Sequence, residues 1–287
     1  MKISVINPHG FCAGVTGALR KALRLADSPG RSLYCLHELV HNEIVVADMK
    51  KRGFAFVESL DDVPEGATVL FSAHGVCPEV RARAAARRLN VVDATCPFVD
   101  RVHRAARGFA ARGMPVVVIG KASHAEVKGI LGEAPDAAVI CSVEEARAVG
   151  MPGGPVGVVS QTTMNADEVR EIVAALRERF EVETTADVCN ATKERQDAVK
   201  AFDGDAILVL GSASSSNTRR LCEVARCRAF RAGTMDELRA LDLSGVSHLG
   251  VTSGASTPES FLDAAVRRLE ADYGSGAPSA GRDCDCR

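Results

Sequence analysis

Tryptophan is absent from the 287-residue chain and tyrosine occurs only twice, so the sequence offers little aromatic surface for stacking on nucleic-acid bases. An excess of charge of one sign is also lacking. The formal net charge is -2, which argues against a protein built to hold nucleic acid or an anionic membrane surface. No run reaches the ~18 consecutive apolar residues of a membrane span. The opening segment MKISVINPHGFC has neither the apolar stretch nor the cleavage site of a signal peptide. It reads as a first β-strand, and the expected location is the cytoplasm. Ten cysteines in such a chain do not suggest a disulfide scaffold. CxxC is missing too, and with it the zinc-ribbon and ferredoxin spacings. Any metal site must be assembled from cysteines far apart in sequence.

What is present is an alternation. Short β-branched runs such as KISVIN and MPVVVIG are followed by helical stretches such as GVTGALRKALRLA and AEVKGILG, the signature of parallel α/β architecture. Within it, three strand-to-helix turns carry a cysteine: Cys12 in NPHGFCAGV, Cys96 in VVDATCPFVDRV and Cys189 in TTADVCNATKERQ. They recur about every 90 residues, and each is followed by two turns with polar tips. After Cys12 these hold His41 and His74; after Cys96, His124 with Glu126, then Thr162; after Cys189, Ser215–Ser216–Asn217, then Ser256. The pattern predicts three small parallel α/β lobes in a pseudo-threefold arrangement around a central cluster site. The expected lobes are residues 1–95, 96–188 and 189–273, with a mobile Gly/Ser/Pro-rich tail over 274–287. Ligands in open α/β sheets sit beyond the carboxyl ends of the strands. All nine turns lie at such ends, which points to one composite site.

The chemistry of the turns follows from their position. A helix start offers free N–H groups and a positive dipole end, which favour a thiolate. Three thiolates on one axis repel unless a cation joins them. Zinc with three thiolates and a [4Fe–4S] cluster with three cysteine ligands both answer that need. Cys35, Cys77, Cys141, Cys222 and Cys227 lack the threefold placement and read as core or surface residues; Cys284 and Cys286 fall in the tail.

GSASSSNT, between an apolar strand and a helix, can present hydroxyls and backbone N–H groups to phosphate, although taken alone it fits a solvated turn with an N-cap serine better. TSGASTPE repeats the theme at Ser256. His41, His74 and His124 add donors. Glu126, desolvated beside an anion, would have a raised pKa and serve as an acid; the alternative is an ordinary first-turn Glu. Thr162 can hold a water or a substrate hydroxyl, or cap a helix.

Taken together, NPHGFCAGV, LVHN, FSAHGV, DATCPFVDRVH, SHAEVKG, SQTT, VCNATKERQ, GSASSSN and TSGASTPE resemble the LytB family over residues 1 to about 270. The resemblance implies one [4Fe–4S] cluster held by Cys12, Cys96 and Cys189, with one iron lacking a protein ligand. It implies a substrate diphosphate bound by His41, His74, His124, Ser215, Ser216, Asn217 and Ser256, Glu126 as proton source and Thr162 assisting. The implied reaction is reductive dehydroxylation of 4-hydroxy-3-methylbut-2-enyl diphosphate to isopentenyl and dimethylallyl diphosphate, the last step of the non-mevalonate pathway. Electrons would come from ferredoxin or flavodoxin.

The chain departs from the family pattern at Ser123, Ala125 and Ser253, where Gly, Pro and Ala are usual. It also departs at Lys193 and Glu194, and in a shortened stretch from Cys222 to Thr234. These departures keep open a divergent member with altered substrate. Other readings are a quinolinate-synthase-like cluster enzyme, a zinc hydrolase using the three thiolates and His124, and a non-catalytic relative.

Overall fold

Runs such as Val116–Ile119 and Ala206–Leu210 are apolar at every position, and each is buried throughout. That is the condition of central strands covered on both faces. Fully burying one such Val or Ile is worth about 1.5–3 kcal/mol, so these runs anchor the fold. In a computed structural model describing residues 1–28, 30, 32–185 and 188–274, they lie in three four-stranded parallel sheets. The expected tail beyond Gly274, with Cys284 and Cys286, lies outside the described residues.

The strands, in chain order, are β1 (Lys2–Val5), β2 (Leu33–Leu36), β3 (Phe54–Val57), β4 (Thr68–Phe71), β5 (Asn90–Asp93), β6 (Val116–Ile119), β7 (Ala138–Ile140), β8 (Val156–Ser160), β9 (Val182–Thr184), β10 (Ala206–Leu210), β11 (Arg228–Ala232) and β12 (His248–Ser253). The helices that matter for the site are α1 (Ala13–Ala26), α2 (Glu43–Lys51), α3 (Pro78–Ala86), α4 (Pro97–Ala111), α5 (Ala125–Glu133), α6 (Val143–Ala148), α7 (Ala166–Arg177), α8 (Asn190–Ala201) and α9 (Ser216–Glu223); α10 (Met235–Arg239) and α11 (Glu259–Tyr273) complete the third lobe.

The three sheets share one strand order: β3-β2-β4-β5, β7-β6-β8-β9 and β11-β10-β12-β1. This bears out the threefold reading of the fold and corrects one boundary. The expected first lobe, residues 1–95, began with the N-terminal strand. In the structure β1 pairs with β12, with Val5 opposite Val251, and so completes the third sheet. The physical reason lies in the crossovers. β5 leads through Cys96 into α4, which packs with Val116, Val118 and Val159 of the second lobe. β9 leads through Cys189 to α8, whose Val199 packs with Ile207 and Val209 of the third. β1 leads through Cys12 into α1, whose Val15, Ala18 and Ala22 pack with Leu33 and Cys35 of the first. Each cysteine therefore stands where the chain leaves one lobe for the next.

Close contact at the seam between the first two lobes depends on glycine. A Cβ added at Gly132 of α5 would lie 2.1 Å from the Cβ of Cys77, the residue before α3. Cys77 thus has a packing role at the seam, in line with the reading that kept it out of the trio. Cys35 is buried in the first core, and burial pushes its thiol up to about 12.

Candidate active site

Each member of the trio is the N-cap residue of its helix: Cys12 of α1, Cys96 of α4 and Cys189 of α8. Pro97 occupies the first turn of α4, where a missing N–H is harmless. The backbone N–H of each cysteine donates to a carbonyl in the turn after the third strand of the sheet that the chain has just left. The pairs are Cys12 to Ala255 at 3.1 Å, Cys96 to Ala73 at 3.0 Å and Cys189 to Thr162 at 3.2 Å. One hydrogen bond, repeated three times, holds the cysteines in equivalent positions.

All of the expected site residues line one cavity of about 110 Å³ at the lobe junction. The sulfurs of Cys12 and Cys96 both lie near Gly14, where an added Cβ would stand 2.5 Å from Cys96 Sγ and 3.9 Å from Cys12 Sγ. Helix-start N–H groups of Phe98 and Val99 do favour a Cys96 thiolate, as expected, but burial outweighs them and pushes this thiol up; charge on Cys12 and Glu126 pushes the same way. Cys189 is likewise pushed up by burial, against the help of Thr192, and by charge on Cys12 and Cys96. Helix position alone is therefore insufficient. Three thiolates in this cavity require a cation.

Among the described residues, no three His, Cys, Asp or Glu side chains converge as ligands of a single metal ion. Soft thiolate donors standing around a cavity, rather than meeting at a point, fit a polynuclear iron–sulfur centre better than lone zinc.

Beside the thiols, Glu126 is 2% exposed. Its carboxylate accepts from the Thr162 N–H at 2.7 Å and from the Thr162 hydroxyl at 3.1 Å. Burial nevertheless raises its pKa to about 7, against the pull of those two bonds. Glu126 thus can hold a proton near neutrality.

The histidines form a wall. His41 and His74 stack with ring centroids 4.2 Å apart, and His124 meets them edge-on at 5.8 and 6.0 Å. Burial, then the charges of His41, Arg219 and Lys121, lowers His124 to about 4. His74 is held well below the usual range by burial and by its histidine neighbours. His124 caps α5, its Nδ1 accepting from the Glu126 N–H at 3.2 Å. In the neutral ring that leaves Nε2–H as the donor.

Around the same cavity, Ser215 caps α9, Ser256 donates to the carbonyl of His41 at 3.1 Å, and Ser216 accepts from Gln161 at 3.2 Å. Asn217 is 5% exposed, yet among the described residues neither its Nδ2 nor its Oδ1 has a partner. A buried amide left without bonds costs about 1–3 kcal/mol, so it points to a polar ligand.

Outside lies a wider groove of about 620 Å³ that shares His41 and His124 with the inner cavity and bears Lys121, Lys128 and Arg219 on its rim.

Several contributors escaped the sequence reading. Gly14 makes room for Cys96 Sγ. Gln161 bridges the second and third lobes through Ser216, and its only signal was adjacency to Thr162. Arg195 lies behind two of the cysteine turns. Of the departures, Ser253 accepts from the Gly10 N–H at 2.8 Å and so steadies the loop before Cys12. Ala125 opens α5 without disturbing the His124 cap, and exposed Ser123 faces the outer groove. Lys193 pairs with Asp197 at 2.6 Å on the surface.

The family model described as LytB protein matches residues 3–270. A 4-hydroxy-3-methylbut-2-enyl diphosphate reductase of Hahella chejuensis is 42% identical, over 99% of this chain and 94% of that protein. The enzyme of the same name from Mycolicibacterium paratuberculosis is also 42% identical, over 93% of this chain and 84% of that one. Among solved structures, the E-1-hydroxy-2-methyl-but-2-enyl-4-diphosphate reductase of Plasmodium falciparum superposes with a TM-score of 0.91 at 32% identity, covering 96% of this chain and 90% of that chain.

Proposed function

The chain belongs to the LytB family, and on that premise we propose that it reduces 4-hydroxy-3-methylbut-2-enyl diphosphate to isopentenyl and dimethylallyl diphosphate. It is an oxidoreductase of the non-mevalonate route to isoprenoids. The observation that carries the reading is the meeting, in one cavity, of three helix-start cysteines, a protonatable Glu126 and the unpartnered amide of Asn217.

In this proposal Cys12, Cys96 and Cys189 hold a [4Fe–4S] cluster with one iron lacking a protein ligand. When bound, the cluster supplies one-electron transfer and a Lewis-acid position. The chain's own residues do the rest. Neutral Nε2–H of His124, with His41, His74, the serine hydroxyls of Ser215, Ser216 and Ser256, and the Asn217 amide, bind the diphosphate and point its hydroxyl end toward the thiols. Neutral donors suit a low-dielectric pocket, where each hydrogen bond to an anion is charge-assisted. Glu126 holds the proton delivered to the departing oxygen, and the Thr162 hydroxyl, 3.1 Å from Glu126 Oε2, orients it. The net step breaks one C–O bond, forms one C–H bond, consumes two electrons and two protons, and releases water.

Among the described residues no helix is long and apolar enough to cross a membrane. The proposal extends to a cytoplasmic enzyme that draws its electrons from ferredoxin or flavodoxin.

The test is anaerobic reconstitution followed by turnover of the diphosphate with a reduced dye. A brown protein that yields both five-carbon diphosphates is expected. A cluster-replete protein that consumes no substrate would remove this substrate assignment and leave an altered one.

A further inference from the structure

Arg195 of α8 is 3% exposed, a rare state for a guanidinium, which stays charged at any accessible pH. Such a charge is normally buried beside a carboxylate. Among the described residues Arg195 has no acidic partner within ion-pair distance; its hydrogen bonds all go to backbone carbonyls. It donates to Gly10 at 2.9 Å, to His9 at 3.4 Å and to Ala191 at 2.9 Å, while its Nε has no partner. His9 and Gly10 lie three and two residues before Cys12, and Ala191 lies in the first turn of the helix capped by Cys189. The side chain therefore spans two of the three cysteine turns. Burial lowers its pKa, and the largest opposing influences are negative charge on Cys12 and then Cys189, ahead of exposed Glu194.

An uncompensated buried cation beside thiolates has one chemical complement. Three cysteinate ligands give a [4Fe–4S] centre a net negative charge that grows with each electron added. A fixed positive charge nearby favours the reduced form, since net charge is one of the protein's levers on cluster potential. Resting on the cluster reading above, we propose that Arg195 is the counter-charge of the cysteine-held centre, a positioning and tuning residue that ties the Cys12 turn to the Cys189 helix and eases reduction.

Two substitutions in the full-length, anaerobically reconstituted protein separate charge from shape. Arg195→Gln removes the charge but keeps a donor for the Gly10 carbonyl. Arg195→Lys keeps the charge with fewer bonds. Redox titration followed by visible absorbance is the readout. The Gln variant is expected to need a more reducing poise, its ratio of reduced to oxidised centre falling about tenfold at a given potential, or 59 mV for a one-electron couple. The Lys variant is expected to stay within threefold of wild type. Loss of the centre in the Gln variant alone also supports the proposal. Wild-type potential in the Gln variant overturns it, as does a Lys variant displaced as far as the Gln variant or failure of both to hold a centre that wild type holds. A wild-type protein that takes up no iron and sulfide overturns the cluster reading itself, and the proposal with it.

Discussion

Replacing Glu126 by glutamine isolates what burial does to one carboxyl. The side chain keeps its shape, Oε1 still accepts from the Thr162 N–H, and the Thr162 hydroxyl can rotate to accept from the new amide. What disappears is ionisation. The folded chain holds Glu126 at about 7 against an ordinary 4.5, and that difference corresponds to about 3 kcal/mol. The sign follows from linkage. A carboxyl raised on folding contributes its stability fully below its unfolded value and loses it as pH climbs through the folded value. Wild-type protein should therefore lose about 3 kcal/mol relative to Glu126→Gln between pH 4.5 and pH 8. The lowered histidines work in the other direction. Their neutral rings give stability present above 6.5 and lost toward about 4 for His124, but they are common to both proteins and cancel in the comparison. Urea denaturation of the cluster-free chains at pH 5 and pH 8 measures the gap. Parallel pH curves would refute the account of a desolvated acid. In the cluster-loaded enzyme the same substitution should lower turnover by about 10²–10⁴, the usual worth of a general acid.

Asn217→Leu should stabilise the ligand-free protein by about 1–3 kcal/mol, because two unpartnered buried atoms go, while raising KM; chemical denaturation and steady-state kinetics report the two effects. Gly14→Ala pushes a methyl against Cys96 Sγ and should lower iron and sulfide content per chain with the fold retained by circular dichroism. Ser253→Ala leaves the buried Gly10 N–H without its acceptor and should cost about 1–3 kcal/mol in thermal unfolding. Rim cations Lys121, Lys128 and Arg219 should make kcat/KM for the anionic substrate fall with ionic strength. A Lys121→Gln, Arg219→Gln double variant should flatten that dependence, measured between 20 and 200 mM salt.

The trio of cysteines was legible because each sits in a turn with the same sequel, strand end before and helix start after, and two polar turns further on. That repetition is a property of order along the chain, which a sequence displays directly. Partnership across the chain is not. KISVIN reads as a strand, but nothing in its apolar pattern tells whether Leu33 or Leu249 will lie nearby, so order along the chain alone places β1 in the first lobe while its pairing places it in the third. Arg195 was hidden for a related reason. It lies in NATKERQ, a stretch whose other charges, Lys193 and Glu194, are exposed, and the packing of α8 against the His9–Gly10 loop turns Arg195 inward. Gly14 and Gln161 act through contacts between lobes, which no local window contains.

The place of β1 has a consequence for how the protein is made. Lys2 stands opposite His248, and the amino terminus of Met1 donates to the carbonyl of Tyr273 at 2.9 Å. Topologically the three lobes form a ring with its cut beside β1. The strand that delivers Cys12 leaves the ribosome well ahead of β12, the strand with which it pairs. At ~5–20 residues per second that wait is on the order of 10–50 s. Of the three cysteines, Cys12 is thus synthesised first and secured last. On the proposed cluster reading, a centre delivered before β12 has formed would meet a site open on one side, and its enclosure would wait for β12 to pair with β1 and close the ring.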